Sequence, residues 1–237
     1  MDRSTAFEIE NRGAMAVQGP GRVRVSHHQY VMFDTDAEEP EQDTDDGLEG
    51  NGLVRVNNES TYASVLTGTS YGDVDVIFDV TDVEPPLDCE GWDEVIEVSL
   101  YFPAEGPLVG DPLSDDLDEV RLLGDPEEYQ WWRFRIHARG RDAAAAAGDI
   151  YADEGDTVLE EHLVQIWAAP RTAEIRHRLT DQAGRRSRTA DTDKHAETKA
   201  AETDHAALPP TPDQYKHLTP QHTELNAGTP DGTDSPA

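Results

Sequence analysis

Apolar and polar residues alternate with a period of two along several short stretches of this chain. Val23 and Val25 alternate with Arg22, Arg24 and Ser26, as a strand with two different faces requires. His27-His28-Gln29-Tyr30 interrupts the pattern and Val31-Met32-Phe33 resumes it, so a first strand is predicted over about 22–33. Further strands are predicted over 53–56, 62–66, 74–80, 92–102, 120–123, 129–138 and 162–168, the stretches richest in β-forming residues. Gly68, Gly72 and Asp73, Pro85-Pro86, Gly106 to Gly110, and Gly124-Asp125-Pro126 supply the turns between them. No segment of comparable length shows a helical period. The one candidate helix, Asp142–Ala147, is followed by Gly148-Asp149 and by acidic residues up to Asp156, which favour an inserted loop. The pattern predicts an all-β fold: a single antiparallel β-sandwich-like domain.

The pattern stops near Pro170. Beyond it only Ile175, Leu179, Leu208, Tyr215, Leu218 and Leu225 are large and apolar, while all four tryptophans lie before it. So little apolar surface cannot offset about 1–2 kcal/mol of entropy per ordered residue. The expected organisation is therefore a loose leader over 1–20, an acidic β-sandwich domain over 21–170, and a disordered C-terminal tail over 171–237.

Charge sharpens this picture. The chain carries a formal charge of −31, and residues 1–170, with 10 Arg, no Lys and 39 Asp plus Glu, hold −29 of it. Such a surface repels nucleic acid and anionic membranes and attracts cationic partners, a cationic protein or metal ions. The alternative is that the acidity confers only solubility or salt tolerance. Cys89 stands alone, so no disulfide can form within the chain. No apolar run approaches the ~18 residues of a membrane span, and none marks the N-terminus as a signal peptide, so a cytoplasmic location is expected.

The stretch Trp131–Arg141 is the most informative. Trp132, Phe134, Ile136 and Ala138 share one face of the strand, expected in the core. Trp131, Arg133, Arg135, His137, Arg139 and Arg141 share the other. Two readings follow: the arginines pair with carboxylates of neighbouring strands, or they form a basic strip suited to a carboxylate or phosphate. The acidic run 34–49, with Asp43, Asp45 and Asp46 at its centre, is the first candidate contact for a cationic partner. It fails the helix–loop–helix calcium pattern, because the sixth position counted from Asp43 is Leu48 rather than glycine. Asp111, Asp115, Asp116 and Asp118 form a second acidic cluster, and the run Asp111–Glu119 is a further candidate contact. The alternative is a module that binds a small anion at the arginine strip or a divalent cation at these acidic loops. His27, His28, Cys89 and His137 lack zinc spacing, and no cofactor is expected. No nucleophile elbow, P-loop or dinucleotide fingerprint is present, and the carboxylates flanking Cys89 disfavour a thiolate. The expected protein is not an enzyme.

Three segments carry a resemblance: Val25–Asp34; Gly72–Val76 leading to Trp92–Val98; and Arg133–Asp142 followed by Glu161–Pro170. Together they resemble a group of uncharacterised bacterial β-proteins and, more distantly, the competence J proteins, acidic inhibitors of a DNA-entry nuclease. The resemblance covers roughly residues 22–170. It implies a β-sandwich that blocks a basic nuclease by presenting negative charge, and it assigns no binding residue.

Overall fold

In a computed structural model the described residues are 16–34, 50–114, 117–152 and 157–192. They form two sheets that enclose one apolar core. The first sheet runs in the order β1 (Ala16–Val25), β5 (Gly72–Thr81), β10 (Glu161–Ala168), β9 (Tyr129–Arg139), β6 (Glu94–Pro103), β11 (Ile175–Leu179). The second runs β3 (Val54–Val56), β4 (Tyr62–Leu66), β2 (Gln29–Phe33), β7 (Leu108–Gly110), β8 (Asp118–Glu119). All pairings are antiparallel except β5 with β10, which run parallel.

The inward residues of β9 are the predicted ones. Trp132, Phe134, Ile136 and Ala138 are fully buried and meet Val74, Ile96, Val98, Leu100, Phe102 and Val164 of the neighbouring strands in the core. The Trp132 indole Nε1 donates to the Phe102 carbonyl at 3.1 Å, so its one polar atom is satisfied. A buried polar chain crosses between the sheets. The Tyr30 hydroxyl lies 3.2 Å from His162 Nδ1, and His162 Nε2 lies 3.0 Å from the Glu160 carboxylate. That carboxylate also accepts from the Gly68 and Thr69 amides and the Thr69 hydroxyl. Burial works to raise the Glu160 carboxyl, but His162 and the Thr69 amide outweigh it and hold it below its usual value.

Several predicted elements are corrected. The single strand over 22–33 is two strands in different sheets, because His27 and His28 both take left-handed conformations (φ 52° and 61°) and turn the chain. Two positive φ values in a two-residue turn normally call for Asn-Gly. Here the Gly68 carbonyl, 3.2 Å from His28 Nδ1, and the Tyr71 ring against His27 fix the turn instead. Residues 120–123 are not a strand, although Val120 and Leu122 are buried. The candidate helix is real: α1 spans Arg141–Ala147.

The largest correction concerns the expected tail. Residues 171–192 are ordered, with β11 pairing along β6 and a helix, α2, over 182–192. Asp181 Oδ1 caps α2 by accepting from the Gly184 amide at 2.7 Å, and the Asp142 carboxylate accepts from the amides of Gln182 and Ala183. Its inward face carries Gly184, Arg188 and Asp191 rather than apolar residues, which is why no hydrophobic period marks it. The expected leader over 1–20 is shortened too, because β1 begins at Ala16; residues 1–15 and 193–237 lie outside the described residues.

Candidate functional site

Strand alternation turns Arg133, Arg135, His137 and Arg139 away from the core, as the sequence predicts, but the first three do not face solvent. Arg133 is 3% exposed and Arg135 and His137 are each 1% exposed. Glu97, on the adjacent strand β6, sits between the two guanidinium groups. It accepts from Arg133 Nε at 2.9 Å, Arg135 Nε at 2.6 Å and His177 Nε2 at 2.8 Å. Segments laid across the sheet supply the remaining acceptors. Arg135 donates to the Pro85 carbonyl and to Glu84, and Arg133 donates to the carbonyls of Thr172 and Ala173. Aromatic rings complete the layer, with Arg135 over Trp167 and Arg139 over Trp92, each 4.9 Å from the ring centre. Burial tends to raise the Glu97 carboxyl, but the hydrogen bonds from Arg135, Arg133 and His177 prevail and hold it low. Burial lowers His137, whose ring faces Trp92, against the pull of the Leu163 carbonyl.

The basic strip is thus not an open anion site. Its arginines pair with carboxylates, the alternative the sequence left open, and only Arg139 among them is exposed, bound to Glu161 at 2.8 Å. Trp131 instead carries Arg171 over its ring at 4.9 Å. Arg141 leaves the strip altogether. Gly140 (φ 81°) breaks the strand, and the Arg141 side chain turns inward to Asp181 at 3.1 Å and the Gly52 carbonyl at 2.9 Å.

Asp181 belongs to a second buried cluster that holds α2. Arg188 Nη1 donates to Glu94 at 3.1 Å, and Glu94 is fully buried. Burial, and then the charge and hydrogen bond of Asp181, push the Glu94 carboxyl up to about 7 against the pull of Arg188. A folded value above the usual 4.5 means that the folded state keeps a proton the unfolded chain releases. Glu94 therefore supports folding fully below about pH 4.5, and this support is lost as pH rises through about 7. Glu94→Gln is expected to gain stability relative to the parent between pH 5 and pH 8, by up to about 3 kcal/mol. Urea titrations at four pH values in that range check this. A constant difference between the two proteins would contradict it.

One group of exposed carboxylates lies along the edge of the second sheet formed by β7 and β8. Glu105, Asp118, Glu119, Asp125, Glu127 and Glu128 are exposed there, and the turns that carry them are tied together. The Glu105 amide donates to the Pro126 carbonyl, and the Leu122 amide to the Ala104 carbonyl. The exposed base in this region, Arg121, is bound to Glu119 at 3.0 Å. Asp34, where the predicted acidic run begins, is buried and accepts from the Tyr129 hydroxyl at 2.7 Å, beside the turn bearing Glu127 and Glu128. Asp43, Asp45 and Asp46, like Asp115 and Asp116, lie outside the described residues. Asp111 accepts from the Ser26 hydroxyl. Among the described residues no group of three or more His, Cys, Asp or Glu is arranged to hold a metal, and no helix is long and apolar enough to cross a membrane. The sequence marked Asp118 and Glu119 of this edge but not Glu105, Asp125, Glu127 and Glu128, which two further turns bring beside them.

No family model matches the chain, and no curated protein matches it. Among solved structures it is similar to ComJ from Bacillus subtilis, described as an inhibitor of the DNA-degrading activity of NucA. The identity is 12% and the TM-score 0.45, over 66% of this chain and 100% of ComJ. It is also similar to the protein described as crocagin biosynthetic gene J, at 12% identity and a TM-score of 0.41, over 65% of this chain and 98% of that one. Both likenesses are distant.

Proposed function

We propose that this chain is a non-catalytic binding protein whose acidic edge engages a cationic protein partner, and that it acts by occluding that partner, a basic nuclease being the leading case. The observation that carries this reading is the exposed carboxylate edge at β7–β8. Glu105, Asp118, Asp125, Glu127 and Glu128 form no ion pair among the described residues. The basic residues of β9, by contrast, are already paired. Like charges on one edge repel one another, and a partner of opposite sign relieves that repulsion. The acidic run bearing Asp43, Asp45 and Asp46 follows Asp34 in the sequence and is a further candidate contact for the same partner.

Binding of this kind draws its speed from long-range attraction, so its on-rate falls steeply with added salt. The test is affinity capture from host lysate with the full chain, at low and high salt, beside a variant with Glu105, Glu119, Glu127 and Glu128 changed to Gln. A basic protein retained by the parent at low salt, released by high salt and not retained by the variant supports the reading. Partners held equally by both baits, or unaffected by salt, overturn it.

A further inference from the structure

The opposite edge of the second sheet has a different chemistry. The strand order places β3 at one end and the acidic β8 at the other. Beside β3 lies an open groove of about 550 Å³, between Val54–Val56 on one side, Val98 and Ser99 of β6 below, and residues 171–174 on the other. Main-chain alternation shows what faces it. In β3, the Leu53 carbonyl and the Asn57 amide bond to β4, so the groups of the residues between alternate outward at Val54 and Val56. The Val54 amide is satisfied by Asn51 Oδ1 at 2.7 Å. The Val54 carbonyl and both main-chain groups of Val56 have no partner among the described residues. In β6, the Tyr101 amide donates to the Ser60 carbonyl rather than to β9, so Ser99, two residues earlier, also turns its main-chain groups away from β9. The pairing of β11 with β6 extends only over Glu94–Glu97 and stops short of Ser99. Among the described residues the outward main-chain groups of Val56 therefore stand unpaired beside this groove, with Ser99 of β6 on its floor.

Two arginines, Arg55 and Arg171, and one carboxylate, Glu174, stand among otherwise uncharged residues around it. Arg171 lies exposed over the Trp131 ring, with no carboxylate partner among the described residues. Arg55 spends one nitrogen on Asp191 at 2.9 Å and keeps other donors. The one carboxylate in the lining, Glu174, is tied to Asn51 and Arg176, at 2.6 Å each. We propose that this groove binds an extended segment of a partner protein, added as a strand along β3 and bearing an acidic side chain that meets Arg171. Main-chain pairing would supply affinity, the valines of the groove would take an apolar side chain on one face, and the arginines would set the charge preference.

The test is selection from a random twelve-residue peptide library on the full chain, followed by binding measurements with the enriched peptides. Val56→Pro removes the edge amide, a change tolerated on an edge strand, and Arg171→Glu reverses the charge at an exposed position. The expected result is enrichment of peptides alternating apolar residues with Asp or Glu. Each variant should weaken their binding at least tenfold while leaving the thermal midpoint of the protein within a few degrees. Hydrogen exchange should slow at the Val56 and Ser99 amides when peptide is bound. A library that yields no enriched sequence, peptides lacking acidic residues, binding unaffected by either variant, or binding without slowed exchange at Val56 would each overturn the proposal.

Discussion

A chain ending at Pro170 is expected to give no cooperative unfolding transition, whereas a chain ending at residue 192 is expected to unfold at the same urea concentration as the full chain. Removing residues 171–192 takes Asp181 from the buried Arg141 and Arg188 from the buried Glu94. It also removes His177 from Glu97, and two carbonyl acceptors from Arg133. Breaking one buried pair by deleting a partner costs about 3–5 kcal/mol, because the charge that stays behind has neither water nor a counter-ion. The stranded Arg141 alone approaches the lower end of the 5–15 kcal/mol of total stability typical of a domain, and the lost hydrogen bonds to Glu94, Glu97 and Arg133 add to it. The second truncation keeps every contact described above. Circular dichroism followed through urea titration distinguishes the two. A sharp transition in the shorter chain at the parental midpoint would show that the segment is dispensable.

Glu97→Ala is expected to cost about 3–5 kcal/mol, for the same reason acting at one point. It leaves two guanidinium groups, Arg133 and Arg135, both almost wholly buried, without the carboxylate between them. At about 2–4 °C per kcal/mol for a domain of this size, the thermal midpoint should fall by roughly 10 °C. The triple change Glu97→Leu, Arg133→Met, Arg135→Met removes the charges together and should cost far less, or even stabilise, since buried ion pairs rarely outperform well-packed apolar residues. Calorimetry on both variants checks the contrast. A loss of under 1 kcal/mol in Glu97→Ala would mean that the arginines reach water. An equally large loss in the triple variant would mean that packing, not charge, explains the effect.

Much of the fold was legible in the sequence. The alternation in Tyr129–Ala138 named the inward face of β9, and the strands at 54–56 and 62–66 fell where β-branched and aromatic residues cluster. These readings worked because burial of apolar side chains leaves a period in the sequence. The same reasoning lost the chain after Pro170, because β11 and α2 are held by main-chain pairing, caps and buried ions. Those interactions leave no hydrophobic trace. The His27-His28 turn was equally hidden, since left-handed residues without glycine depend on the neighbours that secure them.

For the candidate sites the division is similar. The sequence by itself determined that the chain would be a two-faced β protein with strong net acidity and an arginine-bearing strand, because side-chain alternation and charge are properties of residue order. Only the tertiary structure decided where that charge can act. It enclosed Arg133 and Arg135 beneath segments distant in sequence and gathered carboxylates from β8 and two turns along the β7–β8 edge. Among the described residues it also left the outward main-chain groups of Val56 unpaired beside a groove that holds Arg55 and Arg171. Each of these outcomes depends on which strands become neighbours and which remain at an edge, and long-range packing sets that order where no local pattern can.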